Sequence, residues 1–228
     1  MTDSNDRVAA ITGASGRLGG VVAARFAEAG YRLALLARDR DDVADLIGSL
    51  PGGAGRHAAV AVDLASAESS GAAAAAVRQE LGPASVLLQL VGGYAGGRSF
   101  ADNDDDELRR LLDLNLWTTA HAIRAFLPDI AAAEHGRIVT VSTFVAQAPT
   151  ARHAAYAASK AAVEALTISV ARDLAGTTAT ANVVVLRSIG NEKPTDQRPS
   201  EIAASMLWLS SPDAAAINGQ RINLFGRA

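Results

Sequence analysis

The sequence predicts a doubly wound α/β fold, a parallel seven-stranded sheet with helices on both faces. Three observations carry this prediction. Seven short apolar runs alternate with longer amphipathic stretches along the 228 residues. Those runs are almost continuously apolar, as strands buried on both faces must be. The first run passes straight into a glycine-rich turn and a helical stretch, the start of a βαβ unit.

In chain order, residues 8–12 read as the first strand, and "TGASGRLGG" then leads into a helix over 17–29. Residues 32–37 form the second strand, followed by a helix over 40–50. The third strand, 58–62, precedes a helix over 65–81, and the fourth, 86–91, precedes one long helix over 104–134. The fifth strand covers 137–141, with a helix over 154–174; the sixth covers 182–186, with a helix over 199–209; the seventh is 221–224. Glycine and proline mark the loops: "PGGAG" at 51–55, "GGYAGG" at 92–97 and "GNEKPTDQRP" at 190–199. No long linker or internal repeat interrupts the pattern, so one domain over 1–228 is expected. Its ligand site should lie at the carboxyl ends of the strands.

Composition narrows the function. The chain is 49% hydrophobic, enough for a sizeable core, and its net charge of −3 gives no reason to expect a nucleic-acid partner. Cysteine is absent, which excludes disulfides, thiolate nucleophiles and zinc–thiolate sites. His57, His121, His135 and His153 are scattered, so no metal site is expected. The start, "MTDSNDRVAAITG", is polar and then turns into a strand, unlike a signal peptide. No run approaches the ~18 apolar residues of a membrane span. A soluble cytoplasmic protein is the expectation.

The glycine turn suits a dinucleotide. Gly13 permits the tight turn, Gly16 lets backbone approach a pyrophosphate, and Gly19 lets the helix pack on the strand. The helix N-terminus then meets the phosphates with its positive dipole end. A plain NAD site carries an acid at the end of the second strand, for the ribose 2′-OH. Here "LLAR" ends in Arg38, whose planar, permanently charged fork suits a 2′-phosphate. Arg17 inside the turn could add a second cation. NADP(H) is therefore favoured over NAD(H), although the adjacent Asp39 could still reach a 2′-OH.

A second motif lies far along the chain. Of 21 basic residues only Lys160 and Lys193 are lysines, and Lys160 follows Tyr156 by four in "YAASK". Positions i and i+4 share a helix face.

The strand–glycine turn–helix, the arginine after the second strand and Tyr-x-x-x-Lys on a late helix together resemble the short-chain dehydrogenase/reductase family, in its short, single-domain form. The resemblance covers nearly the whole chain, and "RPSEIAASMLWLSSPDAAAINGQRINLFG" looks like that family's last helix and strand. It implies a Rossmann-like fold and an NAD(P)-dependent oxidoreductase acting on a small molecule. It implies Tyr156 as general acid/base and Lys160 as the group that contacts the nicotinamide ribose and lowers the tyrosine pKa. The family's serine falls on Thr143, 13 residues before the tyrosine; Ser142 would point to the opposite strand face. The family's asparagine falls on Asn115 in "LLDLNLW", where it holds a water in the proton relay. The implied cofactor set is Gly13, Ser15, Gly16, Arg17, Leu18, Gly19, Arg38, Asp63, Leu64, Val91, Gly92, Gly93, Tyr156, Lys160 and Ile189. Asp63 matches the residue that caps the adenine, and Ile189 meets the nicotinamide amide through its backbone.

Departures from the family pattern leave three readings open. The glycine spacing is that of longer members. Leu90-Val91-Gly92-Gly93 replaces the usual Asn-Asn-Ala-Gly, and Leu186, Arg187 and Ser188 replace the Pro-Gly after the sixth strand. The leading reading is an NADP(H)-dependent carbonyl reductase or alcohol dehydrogenase. The second is reduction of a quinonoid pterin, because "VGGYAGG" resembles the corresponding segment of dihydropteridine reductases. The third is a non-catalytic cofactor-binding sensor or scaffold. The short polar segment after the sixth strand suggests an open pocket, or one completed by another subunit. The family pairs its two long helices between subunits, which implies a homodimer or homotetramer with contacts at Ala131–Ala133, Ala161–Ala162, Ile168 and Val170.

Overall fold

The structure is a computed structural model, and it describes residues 7–193 and 196–225. The first six residues, two positions of the polar loop 190–199 and the last three residues lie outside the described set.

Seven strands form one sheet: β1 (Val8–Thr12), β2 (Arg32–Ala37), β3 (Ala58–Ala61), β4 (Ala84–Gln89), β5 (Arg137–Thr143), β6 (Thr180–Leu186) and β7 (Arg221–Leu224). Every pairing is parallel, in the order β3-β2-β1-β4-β5-β6-β7. The order reverses between β1 and β4, which opens a crevice at their carboxyl ends. Helices α1 (Gly19–Glu28) and α8 (Pro199–Leu209) cover one face, while α3 (Ala67–Leu81), α5 (Thr118–Ala132) and α7 (Ala154–Asp173) cover the other. Short helices α2 (Ala44–Ser49), α4 (Asp105–Leu111) and α6 (Phe144–Gln147) complete the set.

Strand alternation builds the two core layers. Ala9 and Ile11 of β1 face Val22, Phe26, Ile202 and Met206, whereas Val8 and Ala10 face the layer of Val77, Ile123 and Phe126. All of these are buried. At the amino ends of the strands, Arg7 donates to the Tyr31 hydroxyl at 2.9 Å and the Ser210 carbonyl at 2.8 Å. Buried Arg137 donates to the Gly136 and Thr178 carbonyls at 2.7 and 3.0 Å. These bonds tie the end of the molecule opposite the crevice.

Four differences from the sequence reading bear on the site. Helix α1 starts at Gly19, not residue 17, because the turn continues through two amide bonds, Gly16 to Gly13 and Gly19 to Gly16. Strand β4 ends at Gln89 because the next residue leaves the ladder: the Leu90 N–H donates to Thr12 Oγ1 at 3.0 Å. Strand β5 runs on to Thr143, pairing Ser142 and Thr143 with Val185 and Leu186. The expected helix over 104–134 is broken by a π-helical turn, Leu112–Trp117, between α4 and α5.

Candidate active site

The crevice beside β1 is a groove of about 920 Å³. Its floor is the glycine turn, with Gly13, Ser15 and Gly16 exposed to it. Gly13 has φ of +66°, a conformation that L side chains rarely adopt, and a Cβ there would lie 3.2 Å from the Val91 amide nitrogen. At Gly19 a Cβ would overlap the Gly13 carbonyl oxygen and the Ala14 backbone, so helix and turn can touch only through glycine. Arg38 lines the groove at the end of β2 and is exposed. Asp63 and Leu64 line it beyond β3. Asp63 is held by its N–H bond to Ser69 Oγ at 2.9 Å, and its Oδ1 accepts the Ala65 N–H at 3.0 Å. His121 Nδ1 lies 2.9 Å from the Leu64 carbonyl oxygen. Val91 and Gly92 form the wall after β4. A cradle of this shape, with bare backbone at its floor and a cation at its far end, fits a dinucleotide.

Not every residue expected around a cofactor lines this groove. Arg17 projects to solvent from the turn, Leu18 and Gly19 are buried beneath it, and Gly93, Ile189, Tyr156 and Lys160 lie beyond it. Sequence reasoning missed the opposite wall. Asp106, Arg109, Arg110 and Asp113, from α4 and the π turn, border the groove together with Asp42. Their charged pattern reads like any solvated helix face, and only the tertiary packing of α4 brings it over the crevice.

Past Gly92 the groove meets the tyrosine and lysine of α7. Tyr156 is half-buried, and its phenol stands beside the Thr143 hydroxyl at the end of β5. Burial pushes the phenol above its ordinary pKa; the neighbouring Thr143 hydroxyl pulls it down, and nearby Tyr94 pushes it up. The net direction is upward. This corrects the expectation of a phenol drawn down by its lysine: Lys160 instead donates Nζ to the Val141 carbonyl at 3.0 Å. Lys160 is buried, and desolvation lowers its own pKa to about 8.

Thr143 and Ser142 face opposite sides of β5. Ser142 donates to Glu164 Oε1 at 2.6 Å, and Glu164 is in turn paired with Arg221 of β7. That network was not foreseen, since Glu164 reads as a surface position until the sheet covers it.

Asn115 sits in the π turn, fully buried. Its Oδ1 accepts the Gly93 N–H at 2.8 Å, and its Nδ2 donates to the Gly93 carbonyl at 3.1 Å and to Ser159 Oγ at 2.9 Å. The π turn aims this side chain at the segment after β4, and Gly92 allows the approach: a Cβ there would lie 2.8 Å from Asn115 Oδ1 and 2.9 Å from Lys160 Nζ. Asn115, Lys160 and the backbone of Gly92-Gly93 are thus one packed cluster.

Tyr94 leaves that segment and stands over the tyrosine. Its ring meets Tyr156 edge-on at 5.0 Å, and its hydroxyl lies 3.0 Å from His153 Nε2. Ile189 lies after β6, where it bridges to Gln197.

Among the described residues no cluster of metal-ligating side chains occurs, and no helix is long and apolar enough to cross a membrane.

Comparison with known proteins agrees with this geometry. The family model described as short chain dehydrogenase matches residues 7–197. A 2,3-dihydroxy-2,3-dihydro-p-cumate dehydrogenase of Pseudomonas putida is 27% identical, covering 96% of this chain and 93% of its own. A D-threitol dehydrogenase of Mycolicibacterium smegmatis is 30% identical, covering 96% and 92%. An NADPH-bound short chain oxidoreductase of Pseudomonas aeruginosa PAO1, said to contain an atypical catalytic center, superposes with a TM-score of 0.88 at 27% identity over 96% and 95% of the chains. An NAD+-bound xylitol dehydrogenase shares the fold, with a TM-score of 0.89 at 22% identity over 99% and 100%. The chain belongs to the short-chain dehydrogenase/reductase family and is an NAD(P)-binding oxidoreductase with its Rossmann-like fold.

Proposed function

We propose that this one-domain protein is an NADP(H)-dependent carbonyl reductase or alcohol dehydrogenase acting on a small molecule, with Tyr156 as acid/base. The observation that carries the reading is Tyr156 standing beside the Thr143 hydroxyl, with Lys160 buried one turn along the same helix. When bound, the nicotinamide supplies or accepts a hydride. The turn residues Gly13, Ser15, Gly16, Arg17, Leu18 and Gly19 would hold the pyrophosphate, and Asp63 and Leu64 the adenine. Val91, Gly92, Gly93 and Ile189 would border the nicotinamide riboside, whose ribose Lys160 would hold.

The chain's own residues then manage the proton. A phenol held above its ordinary pKa is protonated at neutral pH, the state in which it can donate to an oxygen gaining charge. Thr143 would hydrogen-bond that same oxygen. Asn115 fixes Gly93 from both sides of its peptide and so sets the wall against which the substrate lies. Arg38 at the groove's end supports NADP(H), because an arginine attracts a 2′-phosphate and no acid occupies its position.

A second reading, reduction of a quinonoid pterin, is favoured by one observation: exposed Tyr94 packs edge-on against Tyr156, leaving an aromatic face for a flat ring. One assay addresses both readings. Consumption of NADPH and NADH is measured against ketones and a quinonoid dihydropterin. The proposal expects ketone reduction with NADPH preferred by at least about tenfold, the scale of one charge-assisted contact. Activity on the dihydropterin alone favours the second reading, and a preference for NADH passes the cofactor role to Asp39.

A further inference from the structure

We infer that Arg187 is an anion-binding residue of the substrate pocket, so that the substrate is a carbonyl or hydroxy compound carrying a carboxylate. The inference rests on the proposed function, because it names the substrate class for the same site.

Arg187 stands directly after β6, one residue beyond Leu186, which pairs in register with Thr143. Its guanidinium carbon lies 4.9 Å from the Phe144 ring centre and 5.1 Å from that of Phe225. The two rings meet edge-to-face at 5.4 Å. Phe144 is the neighbour of Thr143 in the chain, so the cation sits on the order of 10 Å from the Thr143 hydroxyl, by backbone reach.

Two features show that this cation is arranged to bind. The first is fixation. The Arg187 N–H donates to Gln197 Oε1 at 2.7 Å, Ser188 N–H donates to the same oxygen at 3.1 Å, and Gln197 is buried. The backbone is thereby pinned, while the aromatic faces hold the side chain by cation–π attraction. The second is the lack of a partner. Among the described residues its guanidinium pairs with no carboxylate: Glu164 is taken by Arg221, and Asp196 by Ser188 and the amides of Glu192 and Lys193. A guanidinium held by cation–π attraction still has N–H groups to offer, and their fork matches the two oxygens of a carboxylate. The flanking phenylalanines suit a short aliphatic spacer between the carboxylate and the reacting carbon.

The test uses matched pairs of substrates. Acetoacetate, levulinate and longer methyl-ketone acids are each compared with their methyl esters, and dihydroxyacetone phosphate with dihydroxyacetone. The acid-to-ester ratio of kcat/KM with NADPH should exceed about tenfold in the wild type for at least one chain length, the effect of a charge-assisted pair. In Arg187→Gln that ratio should collapse toward one through KM, and Arg187→Lys should restore part of it. An equal ratio in wild type and Arg187→Gln overturns the inference. Selectivity only for the phosphate replaces carboxylate by phosphate and overturns the substrate class named here. Calorimetric titration of the NADP+-loaded protein with the same acids and esters does not depend on turnover. Acid binding that Arg187→Gln weakens about tenfold or more, without reduction of any ketone, supports the anion site and counts against the proposed function. Reduction of ketones with no difference between acid and ester does the reverse.

Discussion

Two hydroxyls one residue apart on β5 have separate duties, and side-chain alternation alone distinguishes them. Thr143 stands beside Tyr156, whereas Ser142 is bonded to Glu164. Thr143→Ala should slow turnover by about 10²–10³, the usual cost of removing one donor to a developing oxyanion, and Thr143→Ser should retain much of the rate. Ser142→Ala should leave the rate within a few-fold and lower stability by about 1–3 kcal/mol, because buried Glu164 loses a bond. Steady-state kinetics and urea denaturation of the three variants check this; an inactive Ser142→Ala beside an active Thr143→Ala would contradict it. Lys160 gives a pH test. Its folded pKa of about 8 lies below the 10.5 of an exposed lysine, so between those values the unfolded chain binds more protons. Stability therefore rises with pH through that window, and the unfavourable burial of the charged form is fully felt below it. Denaturation of wild type and Lys160→Met at about pH 7 and pH 10 should show the rise in wild type only, by a few kcal/mol. Tyr156 and Lys160 stood out in the sequence by type and spacing, and the family resemblance pointed to Thr143 and Asn115. The pKa directions of Tyr156 and Lys160 were not legible there, because desolvation depends on what the sheet and the π turn lay over them.

Elements came through more evenly. Strands β1, β2 and β7 and helix α8 have the bounds that apolar patterning predicts. The π turn at Leu112–Trp117 did not, since one extra residue per turn leaves no mark in composition. Its effect is to bury Asn115 against Gly93 and Ser159, a contact that no periodicity announces. Short α6 was also missed, being only Phe144–Gln147. The glycine turn is the element whose geometry and sequence agree most closely. Gly19→Ala places a methyl group on backbone atoms of Gly13 and Ala14 that cannot yield as a side chain would. It should destabilise the protein by about 1–3 kcal/mol, as overpacking does, and weaken cofactor binding at least tenfold. Gly20→Ala, whose Cβ meets only a Leu46 side-chain carbon at 3.9 Å, is the matched control. Thermal melts and cofactor titration separate the two; equal behaviour of both variants would show that the turn tolerates a side chain.

At the scale of the whole molecule, the doubly wound parallel sheet and a ligand site at its strands' carboxyl ends were predictable, because alternation of apolar and amphipathic segments allows few topologies. The assembly surface was less so. Val170, expected at a subunit contact, packs instead in the core beneath α7, whereas Ala161 is exposed and Trp117 is 48% exposed. We propose that these exposed residues of α7 and the π turn pair with a second copy, and light scattering at micromolar concentration should give a dimer or tetramer; a monomer would contradict it. The most direct test of the central claim, that Tyr156 moves the proton in an NADP(H)-dependent hydride transfer, compares wild type with Tyr156→Phe. NADPH consumption is followed with a ketone that the wild type reduces, alongside NADPH binding. The account predicts a fall in kcat of about 10²-fold or more with cofactor affinity nearly unchanged, the range of general acid catalysis; turnover within a few-fold of wild type would contradict it.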